Sequence, residues 1–314
     1  HGERRVFVMN FVLDFFVDKD THPFDIKEMR LLFATSLRIY EKLKSYRSPT
    51  WRTAREFVYD NGVTGVHFTI RYNKPGEMDL SAGKLTYSGL CMEMDLPKPA
   101  FFAYEGMLVV SKLMKALNLL ATCSSHVPDK PEPPKRYDYD ELVKIWMRAN
   151  EEEVTEEYAR RDDLLYADRS KLLYWWKYTS EFQRLTEEMG KRGIAVPDIK
   201  ICSKKKSPEA FLVSEWLDIK KGVIPAVDYV FMEKRFKRGR PEAGPVTRRT
   251  SSRIIMPPRL EHGMVPFREL LKIIKDECED VHEPVPFKIY TLDHATPKIR
   301  RKLKTSSSRT ITCL

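Results

Sequence analysis

The order of the apolar segments in residues 1–125 is the feature that most constrains the fold. The run RRVFVMNFVLDFFVD (4–18) is rich in Val and Phe and predicts a buried strand. An apolar stripe at helical spacing predicts an amphipathic helix over about 25–46. The segments VTGVHFTIRY and KLTYSGLCMEMDL predict two antiparallel strands, and AYEGMLVVSKLMKALNLLA predicts a buried helix.

This order of strand, helix, strand, strand and helix predicts a ferredoxin-like α+β sandwich with inserts larger than the minimal fold. One insert, WRTAREFVYD (51–60), has a short helical pattern. The segment VPDKPEPPK lies within 126–137, and its prolines predict a linker. We therefore expect one domain at 1–125 and a second at 138–314.

The second domain is predicted to be helix-rich and mixed. Two long helical patterns come first and end at the glycines of MGKRG, because glycine favours the end of a helix. A further helix is predicted to open at Ser207-Pro208-Glu209, and another to cover PFRELLKIIKDECED. Strands are predicted at IAVPDIKIC, VIPAVDYVFMEKRF and PFKIYTL.

Positive charge is concentrated in a loop at 234–253 and a C-terminal tail at 298–314. Together these segments carry more positive charge than the net +10 of the whole chain, so the remaining residues are slightly acidic. Concentrated charge of this kind is typical of a polyanion partner. The residues predicted to bind phosphates are Lys234, Arg235, Lys237, Arg238, Arg240, Arg248, Arg249, Arg253, Lys298, Arg300, Arg301, Lys302, Lys304 and Arg309.

Two further patterns bear on the nucleic acid. Lys237-Arg238-Gly239-Arg240-Pro241 resembles the centre of an AT-hook, which implies binding in the minor groove of A·T-rich DNA. A basic loop with Gly and Pro also suits an arm that reads RNA shape and phosphates, and we favour RNA. On the predicted helix around YWWKY, Trp176 and Tyr178 are the candidates for stacking on bases, whereas Trp175 is assigned to the core.

An acidic pair suggests a different class of function. Glu93 and Asp95 alternate on a predicted strand and therefore share a face. The pair resembles the metal-binding carboxylates of nucleotidyltransferases, and Asp228 would supply a third ligand. Gly83-Lys84 stands where that family has a Gly-Ser turn, so we expect the pair to be structural.

Composition bounds the remaining classes. The chain has five cysteines, and none forms a CxxC motif, which argues against a disulfide framework and for an intracellular compartment. Mitochondrial and nuclear locations are not separated. No run of apolar residues is long enough to predict a membrane span.

The leading expectation is a non-enzymatic, RNA-binding architectural component of a large ribonucleoprotein, of the organellar ribosomal or viral nucleocapsid type. Its partners would be nucleic acid and other proteins of the assembly, with no metal or cofactor. The alternatives are a DNA-binding, chromatin-associated protein that uses the AT-hook-like arm, and a Mg²⁺-dependent nucleotidyltransferase.

The loop at 234–253 yields the first prediction. Changing Arg235, Lys237, Arg238 and Arg240 together to Ala should reduce the slope of log binding constant against log salt by about 3 to 4, because each lost phosphate contact removes about 0.7 to 0.9. The slope is measured by titrating labelled RNA at several salt concentrations. An unchanged slope would indicate that the loop is a solvated segment that makes no phosphate contacts.

Overall fold

The computed structural model divides the chain into two compact units, His1–Asp162 and Asp163–Leu314. The fold is mixed α+β, as the sequence predicted. Both basic segments lie outside the described residues. The residues that the structure describes are 10–20, 26–41, 54–73, 81–82, 84–124, 133–160, 167–203, 209–216, 221–231 and 264–291.

The first unit is built on a single antiparallel sheet. Its described strands follow the order β2-β3-β4-β6-β1-β7, and β5 pairs with β6 beside this path. The strand β6 is therefore central, between β4 and β1. The strands are β1 (Asn10–Asp18), β2 (Ile39–Glu41), β3 (Ala54–Asp60), β4 (His67–Asn73), β5 (Ser81–Ala82), β6 (Leu85–Asp95) and β7 (Leu120–Cys123).

The helices of the first unit lie on one face of this sheet. They are α1 (Ile26–Leu32), which continues as a π-helical turn at Phe33–Leu37, α2 (Phe101–Ala116) and α3 (Tyr139–Arg160). The ring of Phe33 packs edge-to-face on that of Phe57 on β3, with the ring centroids 5.0 Å apart. The Cα of Gly106 on α2 lies so close to Met94 of β6 that a Cβ there would be 2.5 Å from the Met94 methyl carbon.

The alternation of side chains explains why the described helices cover one face. Phe68 and Ile70 on β4 are buried beneath the helices, as are Leu90, Met92 and Met94 on β6. The intervening residues of both strands are mostly polar and project to the opposite side. One sheet face thus forms the core of the unit, and the other carries charged groups.

Three sequence predictions in the first unit were wrong. The helix predicted over about 25–46 ends at Leu37, and Ile39–Glu41 forms the strand β2, which pairs with β3. The segment 51–60 was predicted to be helical, but 54–60 forms β3, which buries Phe57 and Tyr59 at strand spacing. The predicted helix AYEGMLVVSKLMKALNLLA ends at Ala116, and its last residues enter β7. Asn118, with a positive φ of 50°, separates the helix from the strand.

The proline-rich segment does not mark the division between the units. Residues 133–137 are described, and Lys135 pairs with Ala121 of β7 through both backbone hydrogen bonds. The helix α3, which was expected in the second domain, also belongs to the first unit. The division falls after α3, between Asp162 and Asp163.

The second unit contains two sheets in its described residues, with strand orders β10-β14-β13 and β12-β11-β9-β8. In the larger sheet, β9 and β11 are parallel and the outer pairs are antiparallel. The elements are α4 (Arg169–Lys191), β8 (Ile199–Ser203), β9 (Ala210–Glu215), β10 (Lys221–Pro225), β11 (Tyr229–Phe231), β12 (Met264–Pro266), α5 (Phe267–Ile274), β13 (Cys278–Val281) and β14 (Phe287–Thr291).

The core of the second unit is formed by α4, α5 and strands of both sheets. Tyr178 and Leu185 of α4, Leu270 and Ile274 of α5, and Tyr290 of β14 belong to one buried cluster. The aliphatic strand residues of this cluster supply the apolar area that stabilises the unit. Long helices such as α4 depend on this kind of packing more than on intrinsic propensity.

Three predictions in the second unit need correction. The segment that begins at Ser207-Pro208-Glu209 leads into the strand β9, not a helix. VIPAVDYVF is not one strand, because β10 and β11 are separated by the residues before Tyr229. The helix predicted over PFRELLKIIKDECED ends at Ile274, and a 3₁₀ turn leads into β13.

Two further sequence features can be compared with the structure. Within the described ranges, no helix has the length and apolar character needed to cross a bilayer. Among the described residues, no disulfide involves the cysteines Cys91, Cys123, Cys202 and Cys278. Burial raises the pKa of Cys278 to about 11, so this thiol is protonated at neutral pH.

The junction of β1 and β6 contains an irregularity that requires a glycine. The pairing passes from Asp14↔Cys91 to Phe16↔Tyr87, which leaves extra residues on β6. Ser88 Oγ donates a hydrogen bond of 2.8 Å to Phe15 O, and Gly89 has a φ of +84°.

Gly89→Ala should lower the free energy of unfolding by more than about 2 kcal/mol, because strain at positive φ adds to a steric clash. The new Cβ would lie 2.2 Å from Asn73 O, a backbone atom that cannot move away without breaking the sheet. Urea unfolding measures the change. The matched control is Gly62→Ala, where no atom lies within 4 Å, and equal stability of the two variants would contradict the prediction.

Candidate functional site

The strongest candidate site lies on the face of the first sheet opposite the helices, which we call the polar face. Its members come from four neighbouring strands, and the strand register places them in rows. One row contains Asp14, Cys91, Arg71 and Glu56, because these residues are direct partners across β1, β6, β4 and β3. Glu93 lies in the next row, and Asp95 with His67 in the row beyond.

Glu93 occupies the middle of the polar face. It lies on the central strand, and its side chain is only 16% exposed. The guanidinium of Arg71 contacts Glu93 Oε1 at 2.7 Å and Glu56 Oε1 at 3.9 Å. Arg71 is thus the cation that bridges two carboxylates across the sheet.

The pKa of Glu93 is raised above its ordinary value. Burial is the main cause, because it disfavours the charged form, and the carboxylates of Glu56, Asp14 and Asp95 raise it further. Arg71 acts in the opposite direction and lowers the pKa. Burial therefore disfavours the charged form of Glu93 even though Arg71 contacts it. Carboxylates with a shifted pKa are concentrated at binding and catalytic sites.

Asp95 is the more exposed member of the pair. Its Oδ2 lies 3.4 Å from His67 Nε2 and 3.7 Å from Lys98 Nζ. His67 Nδ1 is 3.0 Å from Gly65 O, and its ring packs edge-to-face on Phe102. Two groups that can carry positive charge therefore flank this carboxylate, and both retain solvent-accessible surface.

A second carboxylate, Glu105 of α2, is used differently. It accepts hydrogen bonds from Tyr59 Oη, Asn61 Nδ2 and Thr64 Oγ1, at 2.7–3.1 Å. Burial and the charge of Glu105 raise the pKa of Tyr59, so Tyr59 stays a neutral donor. These bonds anchor the loop that precedes β4, which is a structural role that orders His67 at the start of that strand.

Asp228, the third residue of the predicted acidic set, belongs to the second unit. It lies between β10 and β11 rather than on a strand. Its Oδ1 is 2.8 Å from Lys171 Nζ, and its Oδ2 accepts a hydrogen bond of 2.9 Å from the backbone N–H of Leu212. Both carboxylate oxygens thus have protein partners in this unit.

The two aromatic stacking candidates are on α4. Tyr178 is fully buried, and its hydroxyl donates a hydrogen bond of 2.8 Å to Pro197 O, so its assignment to the surface was wrong. Trp176 is partly buried. Trp175 packs against the core cluster and donates from Nε1 to Ile199 O, in agreement with its predicted core position.

All of the predicted phosphate-binding Lys and Arg residues lie outside the described residues, so those assignments stay predictions. In the described part of the chain, no set of three or more His, Cys, Asp and Glu side chains is arranged to hold a metal ion. Comparison with known proteins found no matching family model, curated protein or solved structure.

Sequence reasoning missed Asp14, Glu56 and Arg71 on the polar face. It also missed Lys98, which follows β6 and contacts Asp95. Alternation along HFTIRY does place His67 and Arg71 on one side of a strand. It does not show which side chains of neighbouring strands they meet, because that depends on register.

Arg71→Met should raise the pKa of Glu93 further, because it removes the charge that stabilises the ionised carboxylate. The pKa is measured by following the Glu93 side-chain carboxyl carbon through a pH titration by NMR. The control is Arg148→Met, which removes a guanidinium from the exposed Arg148–Glu152 pair on α3. If Arg71→Met and Arg148→Met leave the Glu93 pKa equally unchanged, the described contact is not an important electrostatic interaction.

Proposed function

We infer that the first unit has a ferredoxin-like core with added strands. Removing β2, β3 and β5 leaves the order β7-β1-β6-β4, with α1 after β1 and α2 after β6. Strand neighbours are antiparallel throughout this set. This topology supports the βαββαβ plan, in which the last strand lies beside the first.

We propose that the protein is a Mg²⁺-dependent nucleotidyltransferase that acts on nucleic acid. The observation that carries the proposal is the position of Glu93 and Asp95 on the central strand, on the polar face of the sheet. The sequence-based expectation of a structural role rested on the missing Gly-Ser turn and did not consider the position of the pair in the sheet. Acidic side chains in the middle of a sheet, beside Asp14 and Glu56, repel one another and are costly to keep without a function.

The residues present fit the way in which proteins bind Mg²⁺. This ion usually takes one or two carboxylates and completes its octahedron with water and substrate phosphates. Glu93 and Asp95 would supply the protein ligands, so a set of three protein ligands is not required. Arg71 and Lys98, which already contact these carboxylates, can turn to substrate phosphate oxygens.

The reaction that this arrangement suits is attack on a nucleoside triphosphate. A hydroxyl oxygen of the acceptor strand bonds to the α-phosphorus, the bond from that phosphorus to the bridging oxygen breaks, and pyrophosphate leaves. The hydroxyl proton passes to water. The carboxylates would orient the metal-bound phosphates, and the cations would stabilise charge on the leaving group.

The basic segments at 234–253 and 298–314 are proposed to bind the nucleic-acid strand, with RNA favoured over DNA. The charge distribution also supports a second candidate function, the architectural RNA-binding protein predicted from the sequence. In that case the slightly acidic body would contact other proteins of an assembly, and the polar face would have no catalytic role.

The double variant Glu93→Gln, Asp95→Asn separates these candidates. It should reduce Mg²⁺-dependent incorporation of labelled nucleotide into a primer or template strand by at least about 100-fold, since the metal supplies several kcal/mol of transition-state stabilisation. RNA binding measured in EDTA should not weaken. Glu152→Gln, which changes an exposed carboxylate on α3, should retain full incorporation.

Incorporation by the native chain that survives the double substitution would contradict the proposal, as would absence of incorporation by the native chain with Mg²⁺, all four nucleotides and RNA or DNA strands. Circular dichroism establishes that the variant is folded. RNA binding without any incorporation would leave the architectural function as the better account.

A further inference from the structure

The second unit contains a cleft that the proposed reaction at the polar face does not use. Its volume is about 430 Å³, within the range of sites for small molecules. The walls come from the start of α4, from β9, from the turn before β11 and from the start of α5. The residues on which the inference rests are Lys171, Glu209, Phe211, Asp228, Tyr229 and Arg268, and Phe267 lies beside them.

Three aromatic rings line the cleft. Tyr229 and Phe211 are packed edge-to-face with their ring centroids 5.2 Å apart, which fixes the orientation of the Tyr229 ring. Phe267 adds a third ring, and both Tyr229 and Phe267 are only partly buried. Partly buried rings that are held by packing can stack on a planar ligand at little entropic cost.

Charged side chains also line the cleft. Lys171 and Asp228 form an ion pair of 2.8 Å, in which both side chains remain partly exposed. The backbone holds Asp228 in place, because its N–H donates to Leu212 O and its carbonyl accepts from Phe267 N, each at 3.0 Å. Arg268 is exposed and has no ion-pair partner among the described residues.

Chain connectivity relates this cleft to polyanion binding. Tyr229 is paired with Pro266 at one end of the β11–β12 ladder, and Phe231 with Met264 at the other. The basic residues 234–253 lie in the connection between those two strands. The connection leaves β11 at Phe231 and enters β12 at Met264, and each of these residues is two positions from a cleft residue, Tyr229 or Pro266. At a rise of about 3.3 Å per residue, that separation is about 7 Å.

We propose that this cleft binds a nucleotide. The base stacks on Tyr229 or Phe267, the phosphate contacts Arg268 and Lys171, and the carboxylates of Asp228 and Glu209 accept hydrogen bonds from base or ribose. Rings, cations and acceptors together match the three parts of this ligand. The proposal does not depend on the polar face, which belongs to the other unit.

The ligand can be a free nucleotide or one nucleotide of a single strand, and two probes distinguish these sources. Fluorescent ATP and a labelled ten-nucleotide single-stranded RNA are titrated against the full chain in EDTA, which removes any contribution from Mg²⁺. Arg268→Ala should weaken binding of the relevant probe at least about tenfold, as expected for a lost charge-assisted hydrogen bond. Tyr229→Leu should weaken it at least about fivefold through lost stacking.

Arg192→Ala is the matched control, because it removes an exposed arginine of the same unit that does not line the cleft. Retained affinity in this control with loss in Arg268→Ala supports the proposal. If ATP alone behaves in this way, the cleft takes free nucleotide, and if the RNA alone does, it takes a strand. Absence of binding of both probes to the native chain, or equal affinities of Arg268→Ala and Arg192→Ala, would overturn it.

Discussion

The alternation of side chains along β6 is the constraint on which the first unit depends. Leu90, Met92 and Met94 are almost completely buried on one side, while Glu93 and Asp95 point to the other. A shift of one residue in the pairing would place both carboxylates beneath the helices, where an unpaired charge is very costly. The same pleat therefore fixes the helix-covered core and determines which groups lie on the polar face.

Sequence patterns predicted the order of the main elements but missed those in which two signals compete. The segment 54–60 contains charged residues at helical spacing, yet Phe57 and Tyr59 alternate and are buried by neighbouring strands, so tertiary packing decides the outcome. The strand β7 was hidden because its apolar residues continue those of α2 without a break. Residues 117–119 separate helix from strand, and Asn118 among them has a left-handed conformation that Asn adopts more readily than most residues.

The candidate site was predictable only in part for a related reason. Alternation is local, so the sequence alone places Glu93 and Asp95 on the same side of a strand. The approach of Arg71 and Asp14 depends on pairing with β4 and β1, and the irregularity at Ser88 and Gly89 offsets the residues before and after it. The prediction that Tyr178 lies on the surface was wrong for a different reason. A helical stripe of apolar residues shows which side of a helix is buried but not how wide the buried side is, and α4 buries a wider side than the pattern indicated.

The carboxylates of Asp228 and Glu93 differ in how their charge is stabilised, and this difference bears on function. Asp228 has a cation on one oxygen and a backbone donor on the other, so its charge is compensated within its own unit. Glu93 has one cation that it shares with Glu56, and its pKa is raised. Burial disfavours the charged form of Glu93, so a cation that stabilises this form would also stabilise the fold. Metal binding would therefore be coupled to stability at the polar face, whereas a ligand of the second-unit cleft would meet an ion pair that is already formed.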